Sequence, residues 1–140
     1  MKRAIIDTGP LVAAINGNDR YHAWTVEQMQ LLSGPLVTCE AVVSEACFLL
    51  DGIAHGSTPL WAMMRNGGLQ IDFVLSAEID RVSRLIAKYA DLPMSLADAC
   101  VVRMSELFDD YCVLTIDGDF QVYRRFRNRS IPVLMPPGLR

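Results

Sequence analysis

Arg3-Ala4-Ile5-Ile6-Asp7-Thr8-Gly9-Pro10, close to the N-terminus, decides how the chain folds. An apolar run ends abruptly in a carboxylate. A threonine, a glycine and a proline follow, and a second apolar segment covers residues 11–15. An apolar run bounded by turn residues fits a strand buried on both faces that feeds a helix. Thr8 suits a cap for that helix, and Pro10 is tolerated in its first turn. Asp7 then stands at the carboxyl end of a central strand, the edge at which open α/β sheets bind ligands.

The rest of the chain repeats this alternation. Helices are expected over residues 20–32, 40–53, 60–65, 76–89 and 95–108, and a short one over 120–126. Strands are expected over 36–39, 69–74, 111–115 and 131–134, the last at an edge because of Pro132. Ser76 reads as one helix cap. Ser95, three residues before Asp98, reads as another. Five strands alternating with helices predict an α/β fold around a mostly parallel sheet. At 140 residues, 51% of them apolar, a single domain over residues 1–140 with a full core is expected.

Composition narrows the function. No apolar run reaches the ~18–20 residues of a membrane span, and Asp7 and Pro10 interrupt the N-terminal segment too early for a signal peptide. Cys39, Cys47, Cys100 and Cys112 are widely spaced, which fits reduced core thiols and a cytoplasmic protein. The net charge of −3 argues against coating nucleic acid by bulk charge, although two divalent ions would bring −3 to +1. His22 and His55 adjoin turns, and no Cys/His spacing suggests zinc. There is no phosphate-cradling glycine loop and no nucleophile elbow.

Four carboxylates stand out. Asp7 suits a turn as well as a site. Glu45 has Ala41, Val42, Phe48 and Leu49 as its helical neighbours, in a helix apolar nearly all round and so expected to be buried. A buried carboxylate needs a partner or a cation. Asp98 fits a capping box, yet it faces Met94, Val101 and Val102. Asp117, followed by Asp119, ends a buried strand as Asp7 does, although Asp-Gly-Asp is also ordinary turn chemistry. Glu40 is explained by the helix dipole alone. An all-carboxylate donor set suits Mg²⁺ or Mn²⁺, and the chemistry such a site does best is phosphodiester hydrolysis.

Ile5-Ile6-Asp7-Thr8-Gly9-Pro10-Leu11, Ser44-Glu45, Ser95-Leu96-Ala97-Asp98-Ala99 and Leu114-Thr115-Ile116-Asp117-Gly118-Asp119-Phe120, in this order and spacing, resemble the PIN-domain ribonucleases, and within them the VapC-type toxins of bacterial toxin–antitoxin pairs. The resemblance covers essentially the whole chain. It implies a three-layer α/β/α sandwich and a Mg²⁺- or Mn²⁺-dependent endoribonuclease. It also implies a metal site of Asp7, Glu45, Asp98 and Asp117, with Thr115 in the site as a hydroxyl and Asp119 as a nearby or alternate ligand. A homodimer and an inhibiting antitoxin are implied as partners.

Arg124, Arg125, Arg127 and Arg129, interleaved with Tyr123 and Phe126, form a basic cluster suited to an RNA backbone, an acidic antitoxin tail or a solvated helix end. The alternatives are a non-catalytic PIN-like module that binds RNA or protein, and a phosphatase or phospho-receiver with Asp7 as nucleophile. The phosphatase normally has a second acid where Gly9 stands. The receiver has a lysine near the position of Thr115.

Overall fold

In the computed structural model, which describes residues 2–139, five parallel strands form one sheet in the order β3-β2-β1-β4-β7. They are β1 (Ala4–Ile6), β2 (Leu36–Thr38), β3 (Leu69–Ile71), β4 (Cys112–Leu114) and β7 (Val133–Leu134). Ile5 pairs with Val37 on one side and Val113 on the other, and all three are almost completely buried. The helices are α1 (Thr8–Ile15), α2 (His22–Leu31), α3 (Glu40–Leu50), α4 (Thr58–Arg65), α5 (Ile79–Lys88) and α6 (Leu96–Leu107). From β1 the chain steps outward through β2 to β3, then crosses back to β4 on the other side of β1. Right-handed crossovers put α1 to α4 on one face and α5 with α6 on the other, which makes three layers. The expected α/β/α architecture is present, with β7 at the edge.

Several local expectations are corrected. Helix α1 begins at Thr8, so Asp7 holds the N-cap position and Thr8 does not cap. A 3-10 turn at Leu75–Ala77 precedes α5, whose N-cap position is Glu78, so Ser76 caps nothing. Ser95 does cap α6, in a complete capping box with Asp98. Helix α3 is not buried all round. Val42, Val43, Ala46 and Leu50 face the core, while Phe48 is 80% and Leu49 50% exposed. Its apolar content is too evenly spread for composition to tell the two faces apart.

The helix expected at 120–126 is absent. A 3-10 turn at Gly118–Gln121 leads instead into a hairpin of β5 (Arg124–Arg125) and β6 (Arg129–Ser130). At its tip Phe126 and Arg127 take φ of 49° and 75°, left-handed backbone that costs a non-glycine residue about 1–2 kcal/mol. The hairpin is pinned by Glu106 on α6, which is 7% exposed. Its carboxylate accepts the Phe126 N–H at 2.7 Å, Arg81 Nη2 at 3.0 Å and Arg103 Nη1 at 3.0 Å. Arg103 also donates to Glu78 at 2.8 Å. This network ties α5, α6 and the hairpin together.

Burial alone would raise the Glu106 carboxyl, but the Phe126 N–H and the two arginines hold it below its ordinary value. A depressed folded value gives stability that is present above the unfolded pKa of about 4.3 and lost as pH falls through the folded value. Glu106→Ala is expected to cost about 2–4 kcal/mol in denaturant unfolding at neutral pH, because it strands two guanidinium groups and an N–H. The gap to the parent chain should narrow below about pH 4.

Candidate active site

Strand β1 lies where the strand order reverses, and its carboxyl end adjoins that of β4. Ligands of open α/β sheets sit in the crevice at such a switch point. Asp7 follows β1, and Thr115 and Asp117 follow β4. The Asp7 N–H continues the strand pairing onto the Leu114 carbonyl at 3.0 Å. The Thr115 hydroxyl, fully buried, donates to Asp7 Oδ2 at 2.8 Å and accepts the Asp117 N–H at 3.0 Å. One side chain thus fixes the Asp7 carboxylate and the turn that carries Asp117. Asp117 Oδ1 in turn accepts the Asp119 N–H at 2.9 Å.

Gly9 has a steric role. A Cβ there would lie 2.5 Å from Ile116 Cγ1, so the first turn of α1 packs directly on the residue between Thr115 and Asp117.

Two helices bring the other two acids. Asp98, in the first turn of α6, accepts its own cap's N–H and the Tyr123 hydroxyl at 2.9 Å. Glu45, half-buried on α3, accepts the Thr8 hydroxyl at 3.3 Å. Glu45 also lines a cavity of about 670 Å³ between α3, the Leu75–Ala77 turn and α6. Cys39 and Cys100 form part of the same wall.

The electrostatics are those of crowded acids. Asp7 is 5% exposed and its carboxyl is pushed up to about 7, first by burial and further by Asp98 and Asp117, against the hydrogen bonds from Thr115 and the Thr8 N–H. Burial and the Asp117 charge also raise Asp98, against the Tyr123 hydroxyl, and they raise Asp119. Tyr123 is raised by burial and by donating to Asp98. Every ionised neighbour named for Asp7 is another carboxylate.

The donor set therefore fits a divalent cation in charge and in atom type. The fit in position is incomplete. Among the described residues no three acidic, histidine or cysteine side chains stand together in a way that could hold an ion.

Ribonuclease VapC26 of Mycobacterium tuberculosis is 28% identical to the chain over 115 residues, which are 81% of this chain and 85% of that protein. With the PIN-like fold, that alignment agrees with the motifs. The chain resembles the VapC-type PIN-domain ribonucleases. No family model matches it. No helix among the described residues is long and apolar enough to cross a membrane.

The sequence-predicted site residues are distributed as follows. Asp7, Thr115, Asp117 and Asp119 share one hydrogen-bonded edge, Asp98 couples to it electrostatically, and Glu45 reaches it through Thr8. Among the described residues no arginine forms an ion pair with these acids. Arg125 is turned inward, donating to the Ser105 and Asp109 carbonyls at 2.7 and 3.0 Å. Tyr123 is fully buried and so is not free to stack on a base. Its contact with Asp98 had no signal in the sequence beyond the rule that a buried tyrosine hydroxyl finds a partner.

A rise from 3.8 to about 7 at Asp7 corresponds to about 4 kcal/mol favouring the neutral form. A raised folded value means the charged carboxylate weakens the fold as pH climbs from the unfolded value of about 4 to about 7. In chelator, Asp7→Asn is therefore expected to melt several degrees higher than the parent chain at about pH 8, with the gain shrinking toward about pH 4. Thermal unfolding followed by circular dichroism checks this.

Proposed function

We propose that this chain is a Mg²⁺- or Mn²⁺-dependent endoribonuclease, the toxin of a toxin–antitoxin pair. The observation that carries the reading is the Asp7 carboxylate at the switch point, hydrogen-bonded by Thr115 and raised first by burial and further by Asp98 and Asp117. Its likeness to Ribonuclease VapC26 supports the substrate class. Asp7, Asp98 and Asp117 would hold the ion, with Glu45 and Asp119 at the margin. A bound divalent ion supplies Lewis acidity and lowers the pKa of a water at neutral pH.

The chain's own residues do the rest. Thr115 keeps Asp7 aimed and holds the Asp117 turn against it. Tyr123 and the Ser95 N–H orient Asp98. The buried wall around Asp7 limits bulk water there, which strengthens every charge interaction in the site. Drawing the acids around one ion takes side-chain movement. That requirement is also the observation favouring the second reading, a non-catalytic module that keeps the fold to bind RNA or protein. The exposed Phe48 and Leu49 on α3 support an association surface for a second copy or an antitoxin.

Incubation with single-stranded RNA is expected to give cleavage with Mg²⁺ or Mn²⁺ and none with chelator. Outer partners of metal sites account for about 10–100-fold, so Asp7→Asn and Asp98→Asn should each lose more than that while remaining folded. Cleavage unchanged in both variants would contradict the reading.

A further inference from the structure

Five cations surround a cleft of about 170 Å³ on the α5 side of the molecule: Arg81, Arg84 and Lys88 from α5, and Arg124 and Arg127 from the hairpin. Glu106 is the one carboxylate in its lining. The arginine cluster read from the sequence is therefore only half of a composite surface. Arg81, Arg84 and Lys88 recur at helical spacing and meet the hairpin across the seam. The chain as a whole is negative, so this is a local field of opposite sign.

Two of these groups are open. Arg84 and Arg127 are exposed, and neither guanidinium has a hydrogen-bond or ion-pair partner among the described residues. Arg81 is held by Glu106, and Arg124 Nη1 caps the Gln121, Val122 and Tyr123 carbonyls. Lys88 Nζ donates to the Arg127 carbonyl at 2.6 Å, and Glu106 accepts the Phe126 N–H. The two left-handed residues at the hairpin tip are thus held from both helices, in the conformation that sets Arg127 opposite Arg84. Strained backbone held in this way clusters at binding sites. Phe126, 38% exposed, stands at the same tip.

The cleft lies along α6 from the acidic edge: Glu106 in its lining stands about 12 Å along that helix from Asp98, and Tyr123 links the two. Tyr123 donates to Asp98, and the next residue, Arg124, lines the cleft while its N–H donates to the Tyr89 hydroxyl at 2.8 Å. A polyanion lying over Asp7, Asp98 and Asp117 is repelled by them, and a cationic cleft farther along α6 offsets that repulsion.

We propose that this cleft binds the phosphodiester backbone of the RNA strand to one side of the cleaved bond, through Arg84 and Arg127, with Phe126 offering a stacking face. The proposal rests on the ribonuclease reading for its substrate class. Open guanidinium groups match phosphate oxygens, and adjacency to the acids along α6 is what a single strand crossing both would need. An acidic protein segment has no need of that adjacency.

The test is fluorescence anisotropy of a labelled single-stranded oligoribonucleotide against the full chain carrying Asp7→Asn, without divalent ions, so that no cleavage is required. Adding Arg84→Ala and Arg127→Ala should weaken binding about tenfold and lower the slope of log affinity against log salt by about 1.4, or 0.7 per phosphate contact. Arg65→Ala, an exposed cation on α4, should change neither, and the melting temperature should hold in all variants. Affinity and salt slope equal to the Asp7→Asn parent would overturn the proposal. So would unchanged RNA binding with loss of a labelled polyglutamate peptide, which would assign the cleft to an acidic protein segment. Failure of the ribonuclease reading shows separately, as absent or Asp7-independent cleavage.

Discussion

The Thr115 hydroxyl, buried between Asp7 Oδ2 and the Asp117 N–H, is the contact on which the functional edge depends. Both of its bonds exist because β1 and β4 are parallel neighbours in register, Ile6 against Leu114. That pairing ends both strands at the same height. Asp7 is then the first residue past β1, and Thr115 the first past β4. A slip of one residue would turn the Thr115 side chain to the opposite face and leave Asp7 buried without its hydroxyl donor. Gly9 belongs to the same constraint, since α1 must leave Asp7 at once and pass within van der Waals reach of Ile116.

This arrangement places cost and purpose at one spot. A carboxylate 5% exposed, with two more raising it, opposes folding of the metal-free chain at neutral pH. The compensation lies in the surroundings, where Ile5, Ile6, Val113 and Leu114 are fully buried. The opposite kind of charge is managed by the Glu106 network at the far end of α6, where one buried carboxylate orders two arginines and a strained hairpin. Among the described residues the sheet-edge acids have no ion-paired arginine or lysine, while cations are in excess around the cleft farther along α6.

The sequence made the sheet legible because each short strand is a continuous apolar run ended by turn residues, and the acids at its edge were legible because Asp7 and Asp117 repeat the same strand-then-acid pattern. The Ser95–Asp98 capping box was readable for the same local reason. What failed was non-local. Phe48 and Leu49 look like core by composition, and only the packing of α3 shows that they face outward. The stretch 120–126 has helical content but folds as a 3-10 turn and hairpin, because Glu106, which binds the Phe126 N–H, is brought in from 20 residues away. Tyr123 reads as a free aromatic until Asp98, 25 residues away, is seen to accept its hydroxyl. Arg84 and Lys88 join the hairpin arginines only through the α5–α6 seam, which no spacing in the sequence reveals.

The proposed ribonuclease activity requires the crowded acids at the β1–β4 edge to form a divalent-cation site. Isothermal titration of Mn²⁺ into the chelator-stripped chain tests it most directly. Saturable binding is expected in the parent chain and is expected to disappear in both Asp7→Asn and Asp98→Asn while each variant stays folded. Binding of equal strength in the parent and the two variants, or no binding in any of them, would contradict it.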